Sequence, residues 1–175
     1  MSMPPKPDSH TSEFLWDVHK YTNDYIRFAD TKAAFTASVV TALIGSLVAS
    51  SILDSCFRIR LWRWSPLQWV TLLGLILLTG SLVLCIAAIR PRLWNNTPVG
   101  FIFWDSIVAH KTAHQFTRAL HALTDRQRSE VVSDHLFILA TIAKRKFEYV
   151  GWAIYAGAIG GMLAGIALFL HHTYR

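Results

Sequence analysis

The sequence predicts an all-α membrane protein in which three helices cross the bilayer and two of them continue into a small cytosolic helical bundle. Three observations carry this. Residues 33–53, 67–89 and 149–170 form apolar runs without a single Asp, Glu, Lys, Arg or His. Each is long enough for the ~20 helical residues that a hydrocarbon core about 30 Å thick requires. The stretches leading into the first and third runs are mixed in polarity and free of Pro and Gly over many residues, so those helices should extend beyond the membrane. Lys and Arg, finally, are divided unequally between the connections.

Residues 1–11 hold Pro4, Pro5 and Pro7 and read as a disordered lead. Thr11 or Ser12 is the expected N-cap of a helix over 12–32, and no Pro or Gly follows until Gly45, so one helix should run on into the span at 33–53. Phe14, Val18, Tyr21, Tyr25 and Phe28 alternate in steps of four and three, drawing an apolar seam that needs a partner helix. The first span follows some thirty polar and mixed residues, which reads as a signal anchor and not as a cleaved leader.

Residues 54–66 form a short outer loop. Trp62, Trp64 and, just inside the second span, Trp69 stand among Arg58, Arg60 and Arg63, the composition of an interfacial anchor and too little chain for a folded receptor. After the second span at 67–89 comes a cytosolic helical region over 90–148. Its expected parts are a loop from Arg90-Pro91-Arg92 to Gly100, and an amphipathic helix over 104–123 with Phe116, Leu120 and Leu123 on one face. The Pro- and Gly-free stretch 129–150 then carries Val131, Val132, Leu136, Leu139, Ile142 and Ala143 as its stripe. The third span, 149–170, ends in a short tail over 171–175.

Of the 17 Lys and Arg residues, 13 fall before the first span or between the second and third, and four on the other side. Basic residues are retained in the cytoplasm, so the N-terminus should be cytoplasmic and the C-terminus periplasmic. The formal charge of +6 therefore reflects topology, and no nucleic-acid partner is expected because the cations cluster at the membrane borders. Cys56 and Cys85 should lie near opposite faces of the bilayer and cannot pair within one chain.

No enzyme is expected. The chain has no G-x-S-x-G, P-loop, H-E-x-x-H or C-x-x-C motif and no paired carboxylates outside solvated faces. His110, His114 and His121 share one face of the helix over 104–123 in this reading. Without a further acidic or cysteine ligand, and beside Lys111 and Arg118, they read as a polar stripe or an inter-helix contact before a metal site. Asp30-Thr31-Lys32-Ala33 marks the entry of the first helix into the bilayer, where Lys32 can snorkel and Asp30 can pair with Arg27 or with a cation on a neighbouring helix. Lys144-Arg145-Lys146 forms a basic foot under the third span. Within that span Ala153, Gly157, Gly161 and Gly165 repeat every fourth residue, a small-residue face expected to drive self-association, with packing inside one chain as the alternative.

Taken in order, Asp30-Thr31-Lys32-Ala33 before the first span, Arg90-Pro91-Arg92 after the second, Gly100-Phe101-Ile102-Phe103-Trp104-Asp105, and Asp134 to Lys146 running into the third span resemble the transmembrane effectors of bacterial Pycsar antiphage systems. The resemblance covers about Glu13 to Leu170, with Asp30, Lys32 and Asp134 as signature positions. It implies a bacterial inner-membrane protein activated by cyclic CMP or cyclic UMP from a partner pyrimidine nucleotide cyclase, impairing the membrane and causing abortive infection. Lys111, His114, Arg118 and Lys146 are the candidate contacts for that ligand's phosphate, and no other cofactor is expected. The competing expectation is a constitutive membrane scaffold or transport-complex subunit; a relay role is disfavoured because no ionisable residue stands at bilayer depth.

Overall fold

In a computed structural model the protein is described over residues 9–50, 52–53, 65–90, 101–102 and 104–173, with the side chains of 9–12, 104 and 105 excepted. The prolines at 4, 5 and 7, the loop bearing Cys56, Trp62 and Trp64, and the connection over 91–100 lie outside these residues, as do the side chains of Thr11 and Ser12. Among the described residues five helices can be bounded: α1 (Ser9–Ala49), α2 (Pro66–Ile89), α3 (Trp104–Val108), α4 (Ala113–Ala122) and α5 (Asp125–Thr173). Helix α1 thus begins ahead of the Thr11 or Ser12 cap that its sequence suggests. Three of the five, α1, α2 and α5, are long and apolar enough to cross a membrane. The chain divides into two compact units. The apolar unit comprises α1 from Arg27, α2, and α5 from Lys144. The mixed unit comprises α1 up to Ile26, α3, α4, and α5 up to Ala143.

The apolar unit is built inside out relative to a soluble domain. Helix α2 buries Thr71, Gly74, Ser81, Cys85 and Ala88 and exposes Trp69, Leu73, Ile76, Val83 and Ile86. Lipid tails are as apolar as Leu, so association rests on close packing and hydrogen bonds, and small or hydroxyl-bearing residues belong at the contact. A Cβ added to Gly160 would lie 3.0 Å from the Leu78 amide nitrogen and 3.1 Å from the Gly74 carbonyl oxygen, which shows how nearly the α2 and α5 backbones touch. Ser81 Oγ donates to the Ala153 carbonyl at 2.6 Å along the same contact. At Gly157, an added Cβ would meet Ser81 Oγ at 3.0 Å and Val40 Cγ2 at 3.2 Å, so α1 closes on the same line. Val40, Leu47, Leu78, Ala164 and Ala167 form the core around it, and Ala29, Ala33, Ala88 and Val150 a second cluster.

Three of the four positions in the expected self-association face therefore serve contacts within one chain. Ala153 is fully buried, Gly157 sits at the three-helix junction, and Gly161 faces Leu43 Cδ1 at 3.0 Å; Gly165 is open. The buried line on α5 runs Leu136, Leu139, Ala143, Lys146, Val150, Ala153, Gly157, Gly160, Ala164 and Ala167, with Lys146 half-buried, alternating steps of three and four. That is the 3.5-residue period of left-handed helix packing, not the four-residue period of the glycine stripe.

The α1 seam is also displaced. Ala29, Ala33, Val40 and Leu47 are buried, and the same phase continued downward passes through Ile26, Thr22, His19 and Leu15, all half-buried. Phe14, Tyr21, Tyr25 and Phe28 lie one residue out of phase and remain on the surface.

In the mixed unit, the single helix expected over 104–123 is two helices. Lys111 takes a left-handed conformation (φ 51°) that no helix continues through, and Thr112 restarts the chain by accepting from the Gln115 amide at 3.2 Å. Thr124 and Gln127 then cap α5 reciprocally, with Thr124 N–H donating to Gln127 Oε1 at 2.9 Å and Gln127 N–H to Thr124 Oγ1 at 3.4 Å.

The Gly160 contact is testable. Gly160→Val places side-chain atoms against backbone that cannot yield, and should cost about 1–3 kcal/mol in overpacking. Gly165→Val meets nothing within 4 Å and should be neutral. Thermal unfolding in detergent should show a lowered midpoint for the first variant alone; equal midpoints would refute the contact.

Candidate functional site

The candidate ligand residues divide between the units. Lys111, His114 and Arg118 belong to the mixed unit and all three are exposed. On α4, His114 and Arg118 are one turn apart, and neither Lys111 nor Arg118 has an ion-pair partner among the described residues. Phe116 and Leu120 take the other side of the helix. The break at Lys111 removes His110 from the histidine stripe: its ring instead packs against Phe101 and Phe116, at 5.6 and 5.4 Å between centroids. Phe101 and Phe116 are 6.2 Å apart, so the three rings form one cluster that anchors the α3–α4 turn and leaves its cations to solvent. Among the described residues the geometry offers an anion two exposed cationic groups and an imidazole.

Lys146 belongs to the apolar unit, where its Nζ donates to Asp30 Oδ1 across the α1–α5 contact. The Lys146 side chain is 14% exposed and that of Asp30 37%, so the pair is shielded enough to matter and removal of either partner would strand a half-buried charge. The neighbouring-helix partner that the sequence allows Asp30 is thus Lys146, not Arg27. Lys32 is exposed with its ammonium 4.3 Å from the Phe28 ring centroid. Asp134 is exposed.

Beside Asp134 the mixed unit holds a feature that the sequence reading passed over. The rings of His19 on α1 and His135 on α5 stack at 5.4 Å with 27° between planes. Trp16 meets the outer edge of His19 at 5.6 Å, and Asn23 Nδ2 lies 3.3 Å from His19 Nδ1. Burial, and then the charge that His19 can carry, hold the His135 pKa below the ordinary 6.5. The available signal was register: His19 lies on the 3.5-residue line that the small residues of α1 set, and His135 stands next to Leu136 and one turn before Leu139 on the buried side of α5.

A family model for the Pycsar effector protein domain, PycTM, matches residues 14–171, which takes in both units and all three membrane-capable helices. The chain belongs to the PycTM family. It is also similar to the Pycsar effector protein SaPycTM of Staphylococcus aureus, at 26% identity over 149 residues, covering 85% of this chain and 88% of that one. No solved structure matches. PycTM membership makes the chain a membrane effector of antiphage defence in outline, and gives the three apolar helices their setting in the inner membrane.

The His19–His135 stack predicts an acid sensitivity. Because folding lowers the His135 pKa, the unfolded chain takes up this proton first as pH falls. The stack's contribution is complete above about pH 6.5, declines as pH drops through that value, and levels off once pH lies below the lowered folded-state pKa. Unfolding of the full chain followed at stepped pH should show this slope, and His135→Phe should flatten it; an unchanged slope would assign the effect elsewhere.

Proposed function

We propose that this PycTM protein is a signal-gated effector: a cyclic pyrimidine mononucleotide, cyclic CMP or cyclic UMP made by a partner cyclase, binds the mixed unit on the cytosolic side, and the apolar unit then impairs the inner membrane and aborts infection. The observation that carries it is the family match spanning both units, joined to the fact that α1 and α5 each enter both units as unbroken helices. In this reading the two shared helices carry the response from one unit to the other. A ligand favouring one arrangement would shift the population toward it by its differential affinity.

The ligand is small, with a single phosphodiester charge. Charge-assisted hydrogen bonds from Arg118 and Lys111, with His114 as a further donor, suit that charge. Lys146, the fourth candidate, is engaged with Asp30 within the apolar unit and would be open to an anion only once that pair separates.

Calorimetry on detergent-purified protein should detect cyclic CMP or cyclic UMP, and Arg118→Ala should weaken binding on the order of ten- to a hundredfold, the worth of one charged hydrogen bond. Absence of binding by both nucleotides would overturn the ligand, and unchanged affinity in the variant would overturn the residue.

Orientation follows from charge, with the mixed unit inside and the end of α5 outside. A periplasm-dependent phosphatase fused after Arg175 should be active in cells. Activity of a cytoplasm-dependent reporter at that position would reverse the topology.

A further inference from the structure

The end of the apolar unit at which α1 and α5 enter it carries more positive charge than its own acids neutralise. Residues 27–32, 90 and 144–148 hold six Lys and Arg residues against Asp30 and Glu148. These stretches meet near one level, because Ala29, Ala33, Ala88 and Val150 pack into a single cluster with Phe147 against it. Asp30 is taken up by Lys146. The other five cations are Arg27 and Lys32 on α1, Arg90 closing α2, and Lys144 and Arg145 on α5. All five are exposed, and none has an ion-pair partner among the described residues. Every helix of the unit thus contributes at least one uncompensated charge to the same rim.

Two details say what the rim faces. Lys32 is the last cation before the apolar run that begins at Ala33, and its ammonium lies 4.3 Å from the ring centroid of Phe28, one turn back. The side chain bends away from that run and toward the level of Arg27, as a lysine does when its head seeks the membrane interface and its stem stays on apolar surface. The cations are also dispersed. At 100° per residue Arg27 and Lys32 stand about 140° apart around α1, and Lys144 and Arg145 about 100° apart around α5, so no single small anion is gripped by all of them. Separate, exposed charges around the foot of a membrane unit fit many phosphate groups lying in one plane.

We propose that this rim is a binding surface for anionic phospholipid, its five unpaired cations each meeting the phosphate of a headgroup in the surrounding leaflet. Arginine can take two phosphate oxygens at once, and lysine meets them as a point charge. Each basic residue near an anionic surface gives about a fivefold preference for it, so five at one rim select a lipid shell and do more than orient the chain. Asp30 would repel that shell, and its pairing with Lys146 removes the repulsion. Glu148, exposed one turn after Lys144, is the one acid left to oppose it in these stretches. The inference rests on the membrane setting of the PycTM family and not on a nucleotide ligand.

The full chain reconstituted in phosphatidylcholine vesicles with trace spin-labelled lipid tests it. By electron paramagnetic resonance, the motionally restricted fraction should favour spin-labelled phosphatidylglycerol over spin-labelled phosphatidylcholine about two- to fivefold, the single-charge preference diluted by lipid positions away from the rim. At 1 M salt, where the screening length is about 3 Å, the preference should fall toward parity. Lys144→Gln with Arg145→Gln should lower it, and adding Arg27→Gln, Lys32→Gln and Arg90→Gln should abolish it. Lys20→Gln with Arg128→Gln, exposed cations of the mixed unit, should leave it unchanged. The native chain alone can refute the surface, since equal restriction of the two lipids overturns it even if a variant fails to fold. A preference that survives all five substitutions overturns it too, as does one abolished by inorganic phosphate at an ionic strength too low to screen, which would assign the cations to a soluble anion. Lipid preference without nucleotide binding would leave the rim standing and remove the ligand; nucleotide binding with lipid parity would do the reverse.

Discussion

The backbone contact between Gly74 and Gly160 is the constraint from which the rest of the fold follows. In lipid there is no apolar driving force to bring α2 and α5 together, so they associate only as far as dispersion and hydrogen bonding allow. Both grow quickly as backbones approach, and only residues without side chains let them. Ser81 uses that closeness to reach the Ala153 carbonyl, and Val40 of α1 reaches the Gly157 backbone through the gap that glycine leaves. Three helices are thereby fixed in rotation and not merely in proximity. The ion pair between Asp30 and Lys146 then falls on the same α1–α5 line, where burial makes it more than a surface decoration.

Each unit selects its own inward residues of α1: Ala29, Ala33 and Val40 in the apolar unit, and in the mixed unit His19 and Thr22, which are half-buried where Tyr21 is exposed. The same rule on α5 brings Leu136 and Leu139 inward and sets His135 among them. An aromatic line with good hydrophobic character thus loses the interior to a line of small and polar residues.

Length and apolarity made the three membrane-capable helices legible in the sequence, and the stripe of Leu136, Leu139 and Ala143 was legible from its spacing. The contact that organises them was not. Ala153, Gly157, Gly161 and Gly165 form the more conspicuous repeat, yet a four-residue step drifts off a 3.5-residue seam, so Gly160 replaces Gly161 at the contact and Gly165 falls outside it. The break at Lys111 was hidden for a different reason. Residues 104–123 contain neither Pro nor Gly, and a lysine with positive φ gives no sequence warning. The Thr124 to Gln127 capping box, by contrast, is written in the sequence as Thr-x-x-Gln and could have been found. Candidate ligand residues were identified from charge and resemblance, and the break changes their setting: Lys111 sits in a turn, while His114 and Arg118 share a helix face from which His110 has been withdrawn.

The interior of the apolar unit bears on how such a chain would damage a membrane. Along α5 the line that meets α2 is Ala153, Gly157, Gly160 and Ala164, and Gly74 and Ser81 face it from α2. These groups leave little side-chain volume to move aside, and the Ser81 hydroxyl that might have faced water is already committed to a carbonyl. Separating α2 from α5 would break that hydrogen bond and open the backbone contact, so a path through one chain is the expensive route. Exposed surfaces present no such barrier: Trp152, Tyr155, Met162 and Phe169 lie outward on α5, where they can exchange lipid for protein at small cost. Under the proposed function, the lesion therefore belongs between chains, with each three-helix unit remaining intact as a rigid stave.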